Sequence, residues 1–166
     1  MAKVKLESND HHVFEVDKDA AELSLVVKGA IANTADDDSS VPLPKVCKVD
    51  LERVVEWITH HQHDPQEDED DEESENERKN EPRSTEMDAW DAEFIDKFEL
   101  REVFDLLNAA NYMDVKGLFD VCCKKIAKTI HGKNAEQIRA TFGVKCDFTE
   151  AELRQIEKEN EWLADK

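Results

Sequence analysis

Glycine, proline and cysteine are each scarce in this sequence, with four residues of each type among 166. Signatures that depend on glycine, namely the phosphate-binding loop, the GxGxxG dinucleotide fingerprint and the GxSxG nucleophile elbow, are absent. No apolar run approaches the roughly 20 residues of a membrane-spanning helix, and no signal peptide opens the chain. These absences argue against an enzyme and against a membrane protein.

The four cysteines form neither a CxxC pair nor the spacing of a disulfide framework. Cys122 and Cys123 stand in an apolar stretch, which favours buried thiols in a reducing compartment. We therefore expect the chain to be found in the cytoplasm and nucleus.

Acidic residues dominate the charge, which is −19 at pH 7. Such a surface repels nucleic acid and anionic lipid, so neither is expected as a partner. Residues 65–88 alone hold 12 of the 41 acids and contain no aromatic residue. Because Met87 is its only clearly apolar residue, this tract cannot offset its ordering entropy by burial. It is predicted to be a disordered acidic loop that acts as a solvated spacer.

The first part of the sequence has the patterns of strands. Apolar and charged residues alternate over residues 3–7 and again over residues 13–16, with turn-forming residues between, which predicts a hairpin. Residues 41–46, "VPLPKV", predict an extended edge strand, because each proline removes a backbone donor. Between these features, Ser24 is predicted to cap a helix that ends near Asn33.

Helical periodicity follows these strands. Asp50 is predicted to cap an amphipathic helix that ends near the histidines of "THHQHDP". After the acidic tract, one helix is predicted with an apolar face of Leu100, Val103, Phe104 and Leu107. Asp114 is predicted to cap the next helix, and Asn134 the one after it. Strands followed by helices predict an α+β fold.

The last helix has the clearest start signal. Thr149 and Glu152 have the spacing of a capping box, and Phe148 and Leu153 have the spacing of a hydrophobic staple. Ile156 continues the apolar face of this helix.

Three histidines near the end of the first long helix, His60, His61 and His63, raise the question of a metal site. Zinc sites usually pair their ligands at fixed spacing on convergent elements, and this cluster lacks that spacing. We interpret these histidines as solvent-exposed helix-end residues, and no metal or cofactor is expected. A metal-dependent enzyme that uses the cluster remains an alternative from a different functional class.

The stretch from residue 106 to residue 130, "LLNAANYMDVKGLFDVCCKKIAKTI", has more apolar and small residues than one buried helix face needs. One predicted face of its second helix comprises Val115, Leu118, Cys122 and Ala127. A second stripe comprises Phe119, Cys123, Ile126 and Ile130. Two apolar faces on one helix indicate a second covering layer, so a partner-binding module is the inference from the residues alone.

Several segments resemble those of the S-phase-kinase-associated adaptor family of SCF ubiquitin ligases, in the family's order. The segments are "VPLPKV", "EWITHH", "WDAEF", "LLNAANYMDVKGLFDV", "IRATFGVKCDFTEAEL" and "KENEWLADK". The resemblance extends from Val4 to Lys166. It implies a BTB/POZ fold with a small N-terminal sheet and helices over residues 1–132, extended by two C-terminal F-box-binding helices over residues 133–166.

The resemblance also implies a noncatalytic adaptor that bridges a cullin to F-box substrate receptors for ubiquitin-dependent degradation. Asn111 and Tyr112 match the family's cullin-contacting pair. The positions that match the F-box-binding face are Phe119, Cys123, Ile126, Ile130, Ile138, Phe142, Val144, Phe148, Ile156 and Trp162. Weak self-association of the free chain through that same face is a further expectation. Gly117 is expected to permit close backbone approach within its helix.

Two alternatives stay within binding modules. The chain could serve an assembly that uses F-box proteins outside ubiquitylation, which a cullin-free set of native partners would indicate. An elongin-C-like adaptor is disfavoured, because such adaptors lack the C-terminal pair of helices predicted from Ala135 onward.

Overall fold

The computed structural model describes residues 2–33, 40–64 and 86–160. Its strands are β1 (Lys3–Ser8), β2 (Val13–Asp17) and β3 (Ser40–Leu43). Its helices are α1 (Lys18–Ala21), α2 (Leu25–Asn33), α3 (Lys48–His60), α4 (Ala89–Asp96), α5 (Leu100–Met113), α6 (Lys116–Ile130), α7 (Ala135–Phe142) and α8 (Glu150–Glu159). The α+β prediction is confirmed. The predicted acidic loop lies outside the described residues except for residues 86–88, and Trp162 also lies outside them.

The chain divides into two compact units, residues 1–129 and residues 130–166. In the first unit the strands form one sheet of order β2-β1-β3. β1 pairs antiparallel with β2, with Leu6 opposite Phe14, and this confirms the predicted hairpin. β3 lies at the sheet edge, parallel to β1, where Pro42 is tolerated. The strand predicted over residues 41–46 is too long, because β3 ends at Leu43 and a turn begins at Pro44.

The core of the first unit lies where α3 packs against α5 and where the sheet meets α1 and α3. Its largest fully buried side chains are Leu6, Val27, Leu43, Val46, Leu51, Val54, Ile58, Phe94, Ile95, Leu106, Met113 and Leu118. Ser24 begins α2 as predicted, because its hydroxyl oxygen accepts the Val27 N–H at 3.2 Å. The same hydroxyl donates to the carbonyl of Met113 and so ties α2 to the end of α5.

Three predictions about helix starts and faces are corrected. α3 begins two residues before Asp50, with Cys47 at its N-cap. The apolar face predicted for α5 is right for Val103, which is buried, and wrong for Phe104, which is exposed. The buried residues of α5 are Val103, Leu106, Ala109, Ala110 and Met113. Asp114 adopts the left-handed conformation and ends α5. The hydrogen bonds of α6 begin one residue later, at Val115, whose carbonyl accepts the Phe119 N–H at 3.0 Å.

No helix in the described parts of the chain combines the length and the apolar character required to cross a membrane.

Candidate partner-binding site

Helix α6 has the two apolar faces that its sequence predicts. Leu118, Val121 and Cys122 are buried against the core of the first unit. Burial raises the pKa of the Cys122 thiol to about 12, with a smaller contribution from the neighbouring Cys123, so Cys122 is an inert core residue. The opposite face is in contact with solvent, since Phe119 is 37% exposed.

The second stripe within the first unit comprises Phe119, Cys123 and Ile126. Cys123 is half-buried, and Ile126 is partly buried where it packs beside the core. Lys124 and Lys125 flank the stripe and pair with Asp120 at 2.8 Å and with Asp96. The apolar stripe is therefore bordered by paired charges, and its most exposed member is Phe119.

The second unit has well-defined helix starts. Asn134 accepts the Gln137 N–H at 2.8 Å, and the Gln137 side chain accepts the Asn134 N–H at 3.0 Å. Gly143 ends α7 with a φ of 65°, a left-handed conformation that glycine adopts without strain. The predicted cap of α7 is confirmed.

The capping box of α8 is confirmed as well. Glu152 accepts the Thr149 N–H at 2.8 Å and the Thr149 hydroxyl at 2.8 Å, and Thr149 Oγ1 accepts the Glu152 N–H at 3.4 Å. These bonds lower the pKa of Glu152, first through the Thr149 backbone N–H and then through its hydroxyl. The predicted staple between Phe148 and Leu153 stays a prediction.

In contrast to these caps, the apolar residues of the second unit are poorly covered. Within residues 130–160 no residue is buried. Ile138, Phe142 and Leu153 are half-buried. Four apolar residues are between 37% and 59% exposed, namely Ile130, Val144, Phe148 and Ile156. One contact to this set is a cation–π interaction, in which the Arg139 guanidinium lies 5.9 Å from the Phe148 ring centroid.

The predicted cullin-contacting pair lies at the end of α5. Asn111 is exposed and Tyr112 is half-buried, while Ala110 and Met113 beside them are buried. Lys45 Nζ lies 5.5 Å from the centroid of the Tyr112 ring. The pair is therefore accessible from solvent on a helix whose other side is fixed in the core.

The histidine interpretation is wrong for His61, which is buried. Its Nδ1 lies 2.5 Å from Oδ2 of Asp64 and its Nε2 lies 3.1 Å from Oδ1 of Asp91. His60 is exposed but stacks on Trp90, with ring centroids 3.8 Å apart. Within residues 2–33, 40–64 and 86–160, no group of three or more His, Cys, Asp or Glu side chains could hold a metal ion.

Close approach at Gly117, predicted from its place inside a helix, is confirmed. A Cβ on Gly117 would lie 2.5 Å from Cη2 of Trp57, which is far inside ordinary contact distance. Trp57 also donates its indole N–H to Oδ1 of Asp91 at 2.8 Å. This network was not predicted from the sequence. The signal that could have found it is the position of Trp57 beside the face of α3 that contains Val54 and Ile58.

The chain combines a short hairpin-based sheet with a helical remainder, and its first part matches a POZ family model, so it is a BTB/POZ-like protein with C-terminal helices. Residues 2–63 match the family model described as "Skp1 family, tetramerisation domain", and residues 116–163 match "Skp1 family, dimerisation domain". The second match includes α6, α7 and α8.

Related proteins match over nearly their whole length. The chain is 42% identical over 166 residues to "SCF ubiquitin ligase complex protein SKP1a" of Dictyostelium discoideum, covering 100% of this chain and 98% of that protein. It is 39% identical over 164 residues to "E3 ubiquitin ligase complex SCF subunit sconC" of Talaromyces marneffei, covering 99% and 98%. The chain belongs to the Skp1 family.

Proposed function

We propose that this chain is a noncatalytic adaptor of an SCF ubiquitin ligase that joins a cullin to F-box substrate receptors. The observation that carries the proposal is the set of exposed apolar residues in α6, in α8 and between α7 and α8, all within the segment that the second Skp1-family model matches. Relatives of the same length are named as SCF subunits. An adaptor contributes by raising the local concentration of substrate near the ubiquitin-loading machinery, and it needs no catalytic residue.

The F-box would bind through apolar residues of both units. In the first unit these are Phe119, Cys123 and Ile126, and in the second they are Ile130, Ile138, Phe142, Val144, Phe148 and Ile156, followed in the sequence by Trp162. Exposed apolar residues on or beside short helices are typical of proteins that bind an amphipathic helical partner. Burial of these residues would stabilise the second unit, since none of its described residues, 130–160, is buried.

The cullin would bind at the end of α5, where Asn111 and Tyr112 are accessible. Aromatic residues that are already held on one side lose little conformational entropy on binding, and tyrosine is enriched among residues that dominate interfaces. The support of Tyr112 by Lys45 and the buried Met113 beside it gives such a preordered surface.

Self-association of the free chain is part of the same proposal. The apolar residues that an F-box would cover remain uncovered without one, and a second copy would offer the same apolar chemistry. The matched model for this segment is described as a dimerisation domain. The association is expected to be weak and to disappear when an F-box domain is added.

The experiment is a bridging assay with purified components. An immobilised F-box domain is incubated with this chain and with the N-terminal region of a cullin, and cullin retention is measured. Retention that depends on this chain supports the adaptor function. Native purification that yields F-box proteins without cullin would instead favour the assembly outside ubiquitylation.

The variant Asn111→Lys with Tyr112→Lys tests the assigned cullin surface within that assay. It should abolish cullin retention while F-box binding stays unchanged, because the substituted residues lie on α5. Asn9→Lys, an exposed site in the β1–β2 turn, is the matched control and should leave both partners bound. Unchanged cullin affinity in the double variant would refute the assignment of this surface.

A further inference from the structure

Trp57 is held from three directions inside the first unit. Its indole N–H donates to Oδ1 of Asp91 on α4 at 2.8 Å. One face of its ring stacks on His61, with centroids 4.1 Å apart and planes 26° apart. Its far edge faces the backbone of Gly117 on α6. The side chain is 6% exposed, so this arrangement is part of the core.

The contact with Gly117 differs from that of every other glycine. An added Cβ at Gly29, Gly132 or Gly143 would meet nothing within 4 Å. At Gly117 it would lie 2.5 Å from Cη2 and 3.1 Å from Cζ2 of Trp57. Reaching 3.4 Å, the short end of ordinary contact, would require a shift of about 0.9 Å. The backbone of α6 therefore lies directly against the indole.

The hydrogen bonds around the indole leave it little freedom to yield. Asp91 is buried and accepts from Trp57, and the same oxygen lies 3.1 Å from Nε2 of His61. The other ring nitrogen of His61 faces Asp64. Among the described residues, every buried side-chain nitrogen and oxygen has a hydrogen-bond partner. Moving the indole would break bonds in a buried network, which is costly.

We propose that Trp57 is a positioning residue for partner binding, a stop that sets how closely the first turn of α6 approaches α3. Gly117 and Phe119 lie on that same turn, so the depth of the turn fixes where Phe119 presents its ring. The inference rests on the proposed binding of an F-box to α6. In this proposal, Trp57 and Gly117 do not contact the partner. They affect binding by fixing the position of α6.

The test is a double-mutant cycle on Gly117 and Trp57, with affinity for a purified F-box domain as the readout. Gly117→Ala should weaken binding about tenfold, which is about 1.4 kcal/mol. Helix propensity alone predicts the opposite effect, because alanine is a better helix former than glycine. Trp57→Phe removes the ring atoms that clash, so Gly117→Ala should cost less than about twofold in that background.

Gly29→Ala is the matched control, because it makes the same change inside α2 where no atom lies within 4 Å. It should leave affinity unchanged. An equal cost of Gly117→Ala in both backgrounds, or no cost in either, would overturn this inference alone. Failure of the wild-type chain to bind any F-box domain would overturn the proposed function and this inference together.

A second pair of variants keeps the test valid where Gly117→Ala does not fold. Asp91→Ala removes the acceptor of the indole N–H, whereas Asp91→Asn retains an oxygen at that place. Asp91→Ala should lower F-box affinity about tenfold, and Asp91→Asn should restore it to within about twofold of wild type. Equal affinities for the two variants, measured well below their melting temperatures, would overturn the positioning role.

Discussion

Leu118 and Phe119 are neighbours on α6 whose replacement by alanine should separate folding from partner binding. Leu118 is completely buried in the core of the first unit, whereas Phe119 is 37% exposed. Leu118→Ala should therefore lower the free energy of unfolding by about 2–5 kcal/mol, the usual cost of a new core cavity. Phe119→Ala opens no closed cavity and should cost about 1 kcal/mol, near the centre of the range for point substitutions.

The expected loss of partner affinity follows from the area that Phe119 leaves uncovered. A phenylalanine side chain has an area of about 200 Å², so 37% exposure leaves about 75 Å² for a partner to bury. At about 25 cal/mol per Å², that area contributes about 2 kcal/mol to binding. Phe119→Ala should thus weaken F-box affinity about thirtyfold.

Chemical denaturation gives the unfolding free energies, and titration calorimetry with an F-box domain gives the affinities. Leu118→Ala should bind with nearly wild-type affinity per folded molecule, because the Leu118 side chain is completely buried in the core of the first unit. Equal losses of unfolding free energy in the two variants would refute the assignment of the two faces. An affinity of Phe119→Ala within twofold of wild type would refute the binding role of this stripe.

Three further predictions concern the rest of the chain. Thr149→Ala should reduce the helicity of α8, as measured by circular dichroism. In the wild type, the stabilisation of α8 by the Glu152 carboxylate should be present above about pH 4.5 and be lost as pH falls through the lowered pKa of Glu152. A pH response unchanged by Thr149→Ala would contradict this. Deleting residues 67–86 should leave the melting temperature and both affinities nearly unchanged, and a tenfold loss of affinity would reveal a contact surface. Trp162→Ala should weaken F-box binding by about 1–3 kcal/mol and leave cullin binding unaltered, as measured by calorimetry.

Features governed by local chemistry could be predicted from the sequence. The hairpin, the start of α2 at Ser24, and the capping boxes at Asn134 and Thr149 all depend on residues within a few positions of one another. Each satisfies backbone donors that would otherwise lack partners, so the same side chains suffice in any tertiary context. The two faces of α6 also follow from helical spacing alone.

Features that depend on competition between neighbouring signals were predicted less well. Asp114 has the chemistry of an N-cap, but it also tolerates the left-handed conformation with which α5 ends. Phe104 shares helical spacing with the buried Val103, yet the buried face of α5 extends toward Leu106 and leaves Phe104 exposed. Periodicity identifies a helix reliably and its buried face less so, when apolar residues occupy more than one stripe.

The buried state of His61 could not be read from its neighbours in the sequence. Its acceptor Asp91 is 30 positions away, and the intervening tract gives no pattern that fixes their approach. A histidine beside acidic residues at a helix end satisfies the description of an exposed residue equally well. Only the fold, which brings α4 against the end of α3, decides between the two.

The two units differ in what stabilises their helices, side-chain caps or burial. In the first unit, burial can fix a helix without a side-chain cap, as in α3, where Cys47 forms no cap bond while four residues of the helix are buried. In the second unit, α7 and α8 begin with complete capping boxes, yet none of their residues is buried. Caps fix where these helices begin, but they contribute far less than burial to holding short helices together. The missing stabilisation has to come from whatever covers Val144, Phe148 and Ile156, so the order of this unit and the binding of its partner are expected to be one equilibrium.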